Sequence, residues 1–259
     1  MKVHQIYTNN QLRNFNYIIE LEDQSAIVVD PWDACEINNY LNERHLILKT
    51  IINTHEHWDH VQGNLALVQK HGCEVWAHEN AAHSIPGFTH SLKNKQIINL
   101  DDNNQLIVLD TPGHTLAHLC FMLISDGQQK AIFTGDTLFN AGVGHCRLGG
   151  EERLLYNTII KNFYPLEDQI IIYPGHDYLE NNLRFTLKFE PSNQQAKKLL
   201  EKVTATDYVP GNIQTNIAEE KQFNLFMRLD NIDVINNLSL NQPIAEQVFI
   251  ALRSQRDKW

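Results

Sequence analysis

Cysteine is scarce in this 259-residue chain. Cys35, Cys73, Cys120 and Cys146 stand far apart and form no CxxC pair. That spacing argues against a disulfide framework and for reduced thiols in a cytosol. Positive charge is short as well, with 21 Lys and Arg against 31 Asp and Glu, a net of −10. Nucleic acid and anionic membrane are therefore not expected as general partners, and an anionic substrate would need a local basic patch. No apolar run approaches the ~20 residues of a membrane span. The first residues, MKVHQIYTNN, turn polar at once, so no signal peptide is expected. Internal repeats and low-complexity tracts are missing too. What is left, 42% hydrophobic and 20% charged, is an ordinary globular composition. The length can bury a sizeable core in one large domain, or in a large domain plus a small one.

Short β-branched and apolar runs predict strands at 16–22, 25–30, 46–53, 73–78, 105–110, 119–124, 130–134 and 169–174. Helical spacing is expected at 61–72 and 151–163. Behind residue 178 the texture becomes helical, at 179–191, 193–205 and 243–259, with PGN (210–212) as a break. We expect a β-rich domain over 1–175 and a small helical domain over 176–259.

THEHWDH, residues 54–60, crowds His55, His57, Asp59 and His60 directly behind the apolar run IIN. Three more candidates also follow strands. TPGH supplies His114, TGD supplies Asp136 and PGH supplies His176. Loops at the end of a rigid sheet are where sites assemble. Seven donors are too many for one four-coordinate ion. They suit two ions with a shared ligand, because a carboxylate can bridge where a neutral imidazole cannot. His55, His57 and His114 would take one ion and Asp59, His60 and His176 the other, with Asp136 between them. Mixed nitrogen and oxygen donors without thiolate fit zinc first, and also iron or manganese. His118 is expected to support a ligand by a hydrogen bond.

THEHWDH resembles the HxHxDH motif of the metallo-β-lactamase superfamily, and TPGHTLAH, FTGDTLF and YPGH match its later motifs in order. The resemblance implies an α/β fold, an αβ/βα sandwich with a dinuclear site at one edge of its sheets. Within it the chain is most similar to the hydroxyacylglutathione hydrolase (glyoxalase II) family. FTGDTLFNAGVG, GHDYLENNLRF, AEEKQFNLFMR and the closing LRSQRDKW carry that likeness nearly to the end of the chain. It implies that Tyr178, Arg253 and Arg256 bind a glutathione thioester. Arg256 stands where lysine is usual, and HCRLGG replaces a basic-then-aromatic segment, so His145 and Arg147 occupy its contact positions.

The implied reaction is thioester hydrolysis by a metal-bridging hydroxide, assisted by Asp59, with S-D-lactoylglutathione as substrate. A leaving thiolate with pKa ~8.5 needs little general acid. The alternatives are another thioester or a lactone on the same site, or a mononuclear-iron persulfide dioxygenase, which lacks an equivalent of the C-terminal tail. Flavodiiron oxidoreductases place glutamate where this chain has His57. A cytoplasmic monomer is expected, acting on a small molecule.

Overall fold

The computed structural model describes residues 1–259. Six strands make a first sheet in chain order: β1 (Lys2–Tyr7), β2 (Phe15–Glu20), β3 (Ser25–Val29), β4 (Ile47–Ile52), β5 (Glu74–His78) and β6 (His90–Leu92). β1, β2 and β3 pair antiparallel, and β3 to β6 run parallel. Then follow β7 (Ile97–Asn99), β8 (Asn104–Asp110), β9 (Leu119–Ser125), β10 (Gln128–Gly135), the hairpin β11 (Leu138–Phe139) and β12 (Gly142–Val143), and β13 (Ile171–Pro174). The second sheet has the order β13-β10-β9-β8-β7. Every strand expected from the sequence is present, with ends displaced by a few residues.

Side chains alternate across each strand, so each sheet buries both faces. Phe15, Tyr17 and Ile19 of β2 meet Phe121, Leu123 and Phe133 of the second sheet, forming the middle of the sandwich. Ile18 turns the other way, to Ile37 and Leu41 of α1 (Ala34–Glu43). The segment 61–72, expected as one helix, is split into α2 (Trp58–Val61) and α3 (Asn64–His71). The Gly63 N–H donates to Pro31 O at 2.9 Å, which pins the chain across the break.

The outer face of the second sheet carries α4 (Glu152–Thr158), which continues as a π-helical turn over Ile159–Phe163. Beside it lie α5 (Leu179–Phe189), α6 (Gln194–Val203), α7 (Ile217–Phe223), α8 (Ile232–Asn237) and α9 (Ala245–Arg256). Cys120, Met122, Ile132 and Ile172 of the sheet share one cluster with Phe185, Phe226, Phe249 and Leu252 of the helical region. Each large side chain so buried contributes about 1.5–3 kcal/mol. The order of layers is helix, sheet, sheet, helix, an αβ/βα sandwich with further helices behind it.

β8 and β10 both pair antiparallel with β9, and β13 runs parallel to β10. The C-terminal ends of β8, β10 and β13 therefore lie at one edge. Phe15 N to Gly175 O (2.8 Å), Asp177 N to Arg13 O (2.9 Å) and Leu119 N to Thr54 O (2.7 Å) stitch the first sheet to that edge.

Glu220 of α7 is fully buried beneath the β11–β12 hairpin. Its carboxylate accepts from Thr215 Oγ1 (2.6 Å), Asn224 Nδ2 (2.8 Å) and Ala141 N (2.9 Å). Burial raises its pKa to about 7, against the pull of those donors. The folded pKa lies above the unfolded value, so this contribution is whole below pH ~4.3 and is lost as pH rises through about 7. Glu220→Gln cannot ionise. Chemical denaturation should show it gaining roughly 1–3 kcal/mol on the wild type between pH 5 and pH 8. A constant difference across that range would refute the titration.

Candidate metal centre

β4 runs into THEHWDH, where His57 is still extended (φ −61°, ψ 141°) and α2 then turns Asp59 and His60 inward. β8 delivers His114, β10 delivers Asp136 and β13 delivers His176. The seven side chains meet at the sheet edge, and all but His57 are buried.

They form two groups. His55 Nε2 lies 3.0 Å from His57 Nδ1, and His114 Nε2 lies 2.9 Å from the same atom. In the second group His60 Nε2 and His176 Nε2 are 3.3 Å apart, each 3.4 Å from Asp59 Oδ2. Asp136 faces both. Its Oδ1 is 3.3 Å from His60 Nε2 and from His176 Nε2, and its Oδ2 is 3.4 Å from His114 Nε2. Gly175 allows this approach, since a Cβ there would run into Asp136 Oδ1.

The outer nitrogens of the five rings decide where the protons are. His57 Nε2 faces Leu148 O (3.0 Å), His114 Nδ1 faces His145 O (2.6 Å) and His176 Nδ1 faces Leu12 O (2.8 Å). A carbonyl only accepts, so each of those nitrogens carries hydrogen. His60 Nδ1 donates in the same way to Asp30 Oδ2 at 2.9 Å. The Thr54 hydroxyl gives its proton to Asp30 Oδ2 (2.6 Å) and so accepts from His55 Nδ1 (3.0 Å). The inner nitrogens are then bare in the neutral rings. Within each group they point lone pairs at one another, and Asp136 Oδ1, 3.3 Å from His60 Nε2 and His176 Nε2, makes no well-aligned hydrogen bond to either. Such an arrangement is favourable only around positive charge. Donors around a tetrahedral divalent ion with bonds of ~2.0–2.1 Å stand roughly 3.3 Å apart, so the observed spacings fit one ion per group.

The electrostatics agree. Burial, reinforced by neighbouring histidines, drives the His55 pKa well below its usual value. Burial also takes His114 down to about 3 despite Asp136. Both rings stay neutral, the form that ligates. His60 differs: burial opposes its charge, but Asp136, Asp59 and Asp30 outweigh it and hold its pKa well up, so without an ion these carboxylates draw onto this ring the positive charge that an ion would otherwise supply. Burial likewise works against the Asp136 carboxylate, yet His176 and His60 keep its pKa well down. Asp136 is further fixed by its backbone N–H, which donates to His118 Nε2 at 3.2 Å.

Beside the second group lies a cavity of about 250 Å³ lined by Phe139, His145, Arg147, Tyr178, Asn182, Arg253 and Arg256, among others. Tyr178 stacks flat on His176 at 4.9 Å. The structure thus brings all five residues expected to contact substrate to one cavity, but their free hydrogen-bonding capacity differs. Arg253 is 4% exposed, and four of its five N–H donors are engaged. Nη1 reaches Val143 O (2.9 Å) and Gly144 O (3.0 Å), while Nε and Nη2 reach Asp257 Oδ1. Arg256 gives Nε and Nη2 to Asn182 Oδ1 and keeps Nη1 free. Arg147 stands at the exposed rim, its Nε 3.8 Å from Asp257 Oδ1.

Asp30 and Asn14 were not anticipated from the sequence. Asn14 Nδ2 donates to Asp59 Oδ2 at 2.9 Å and sets that carboxylate. Asp30 ends the run AIVVD, so the pattern that located Asp136, an aspartate just past a strand, also marks it. Nothing in the polar segment TNNQLRN singles out Asn14.

The family model of the metallo-beta-lactamase superfamily matches residues 11–176, and that of the hydroxyacylglutathione hydrolase C-terminus matches 177–259. A hydroxyacylglutathione hydrolase of Polaromonas sp. is 41% identical over the full length of both chains. One of Nitrosococcus oceani is 40% identical, again over both full lengths. Among solved structures, ETHE1 from Myxococcus xanthus superposes with a TM-score of 0.68, covering 99% of this chain and 98% of its own, at 24% identity. That likeness extends to the fold alone.

Proposed function

This chain belongs to the hydroxyacylglutathione hydrolase family of the metallo-β-lactamase superfamily, and we propose that it hydrolyses the thioester of S-D-lactoylglutathione to D-lactate and glutathione. That reaction is the second step of methylglyoxal detoxification. One observation carries the reading: two sets of bare donors share Asp136 and open beside a cavity with arginine in its wall.

In this reading His55, His57 and His114 would hold one divalent ion, and Asp59, His60 and His176 the other, with Asp136 available to both. The all-nitrogen-and-oxygen donor set suits zinc, and also iron or manganese. When bound, such a pair supplies a water of lowered pKa and Lewis-acid polarisation of the thioester carbonyl. The relatives 40–41% identical over both full lengths are hydroxyacylglutathione hydrolases, which favours hydrolysis over a mononuclear-iron persulfide dioxygenase.

The protein's own groups do the rest. Asn14 occupies Asp59 Oδ2 and leaves Oδ1 to accept the proton of the attacking water. The free Nη1 of Arg256, the remaining donor of Arg253 and the rim cation Arg147 supply local positive charge for the glutathione carboxylates. His145 and the Tyr178 hydroxyl complete the contacts. The helical region over 176–259 thereby serves as the substrate-binding part. Water attacks the carbonyl carbon, the C–S bond breaks, and glutathione leaves as thiolate with a pKa near ~8.5, so no separate acid is required. All four cysteines are unpaired, as in a reducing compartment. We place the protein in the cytoplasm, acting as a monomer.

The test is hydrolysis of S-D-lactoylglutathione by purified protein, with metal content measured on the same sample. Rapid turnover with close to two ions per chain supports the reading. Two ions without turnover would overturn the substrate assignment. Arg256→Ala should raise KM for the thioester about tenfold while kcat changes little, because it removes binding common to ground and transition states. A fall in kcat with unchanged KM would place Arg256 elsewhere in the reaction.

A further inference from the structure

We propose that Gly149 is a positioning residue of the three-histidine group, acting through the carbonyl of Leu148. The inference rests on the two-ion reading above and concerns how one ligand is held. His57 is the least buried of the seven donors, and its ring is oriented on its outer side by Leu148 O, 3.0 Å from Nε2. A histidine ligates through one nitrogen when the other keeps its proton on an acceptor. Leu148 contributes only its backbone here, since its side chain is 64% exposed.

The direction of that carbonyl is set by the Leu148–Gly149 peptide plane. Gly149 has φ +98°, a conformation that side-chain-bearing residues rarely adopt. Space is not what demands glycine there, because a Cβ would meet nothing within 4 Å. The backbone conformation is the demand. Alanine would draw φ to negative values, rotate the peptide plane and take the carbonyl away from His57 Nε2. The ring could then carry its proton on Nδ1, the atom that faces His55 and His114. His114 would be spared, since its own acceptor is His145 O. The second group would be spared as well, since its rings rest on Asp30 and Leu12.

The experiment is a chelator-competition titration with Zn²⁺ on metal-free wild type, Gly149→Ala and Gly149→Asn, with thermal unfolding of each metal-free protein. Wild type should show two tight sites. Gly149→Ala should weaken one of them about 10–100-fold, leave the other unchanged and lower the unfolding temperature of the metal-free protein by no more than a few degrees, the cost of the strained backbone. Gly149→Asn should fall between, because asparagine enters positive φ more readily than alanine. Two unaltered sites in Gly149→Ala overturn the proposal, as does asparagine no better than alanine. Loss of both sites with a larger fall in unfolding temperature overturns it too, by pointing to general damage. A wild type with no tight site would instead remove the two-ion reading and this inference with it.

Discussion

Asp136→Asn should lose bound metal and hydrolysis together. Each carboxylate oxygen faces a different group: Oδ1 lies 3.3 Å from His60 and His176, and Oδ2 lies 3.4 Å from His114. A carboxamide keeps one of those oxygens and turns a donor toward the other set. It also removes the negative charge that would offset two cations. If two ions are held as proposed, their polarisation of the substrate would be worth several kcal/mol, so kcat/KM should fall roughly 10³-fold or more. Metal content should drop from two ions per chain to one or none. The backbone hydrogen bond to His118 is untouched, so the fold should survive. Full activity in a variant holding a single ion would refute the shared-ligand arrangement.

Asp30→Asn is the second large effect, and it acts at one remove. Asp30 Oδ1 accepts from Thr54 N (2.8 Å), and Oδ2 accepts from Thr54 Oγ1 and from His60 Nδ1. Three donors converge on a carboxylate that is 3% exposed. An amide can accept on one side only. Whichever way it lies, an N–H meets an N–H or O–H. The backbone is not at issue, since asparagine tolerates the φ of +51° found here. The unpaired donors should cost about 1–3 kcal/mol in the metal-free protein. Zinc affinity should fall 10–100-fold at the His60 group, with a smaller loss at His55, whose proton rests on the Thr54 hydroxyl. Denaturant midpoints and a zinc titration read the two effects separately. If neither moves, the role given to Asp30 is wrong.

The strands and candidate ligands were legible because both follow a local rule. A β-branched run must be buried, and the polar residue that ends it must stand at the sheet edge. His55, His114, Asp136 and His176 all sit that way. β1 and α1 escaped for the opposite reason. β1 is only half-buried, and α1 shows the core just Ile37 and Leu41 within a polar ACEINNYLNE. Asn14 reaches Asp59 across 45 residues, and Arg253 reaches the hairpin carbonyls across more than 100. Such partners are made by topology, and no spacing along the chain announces them. The chemistry of Arg253 was therefore readable as positive charge, but not the fact that most of its donors are engaged in holding the hairpin.

The shared cluster behind the second sheet bears on how the molecule comes apart. Two family models divide the chain at 176/177, yet Ile132 and Ile172 lie in the same apolar body as Phe226 and Phe249. A cut at that point would leave both pieces with a wet hydrophobic face. The two halves should therefore melt as one cooperative unit, and whatever loosens α9 should loosen the floor beneath the strands that carry the candidate ligands.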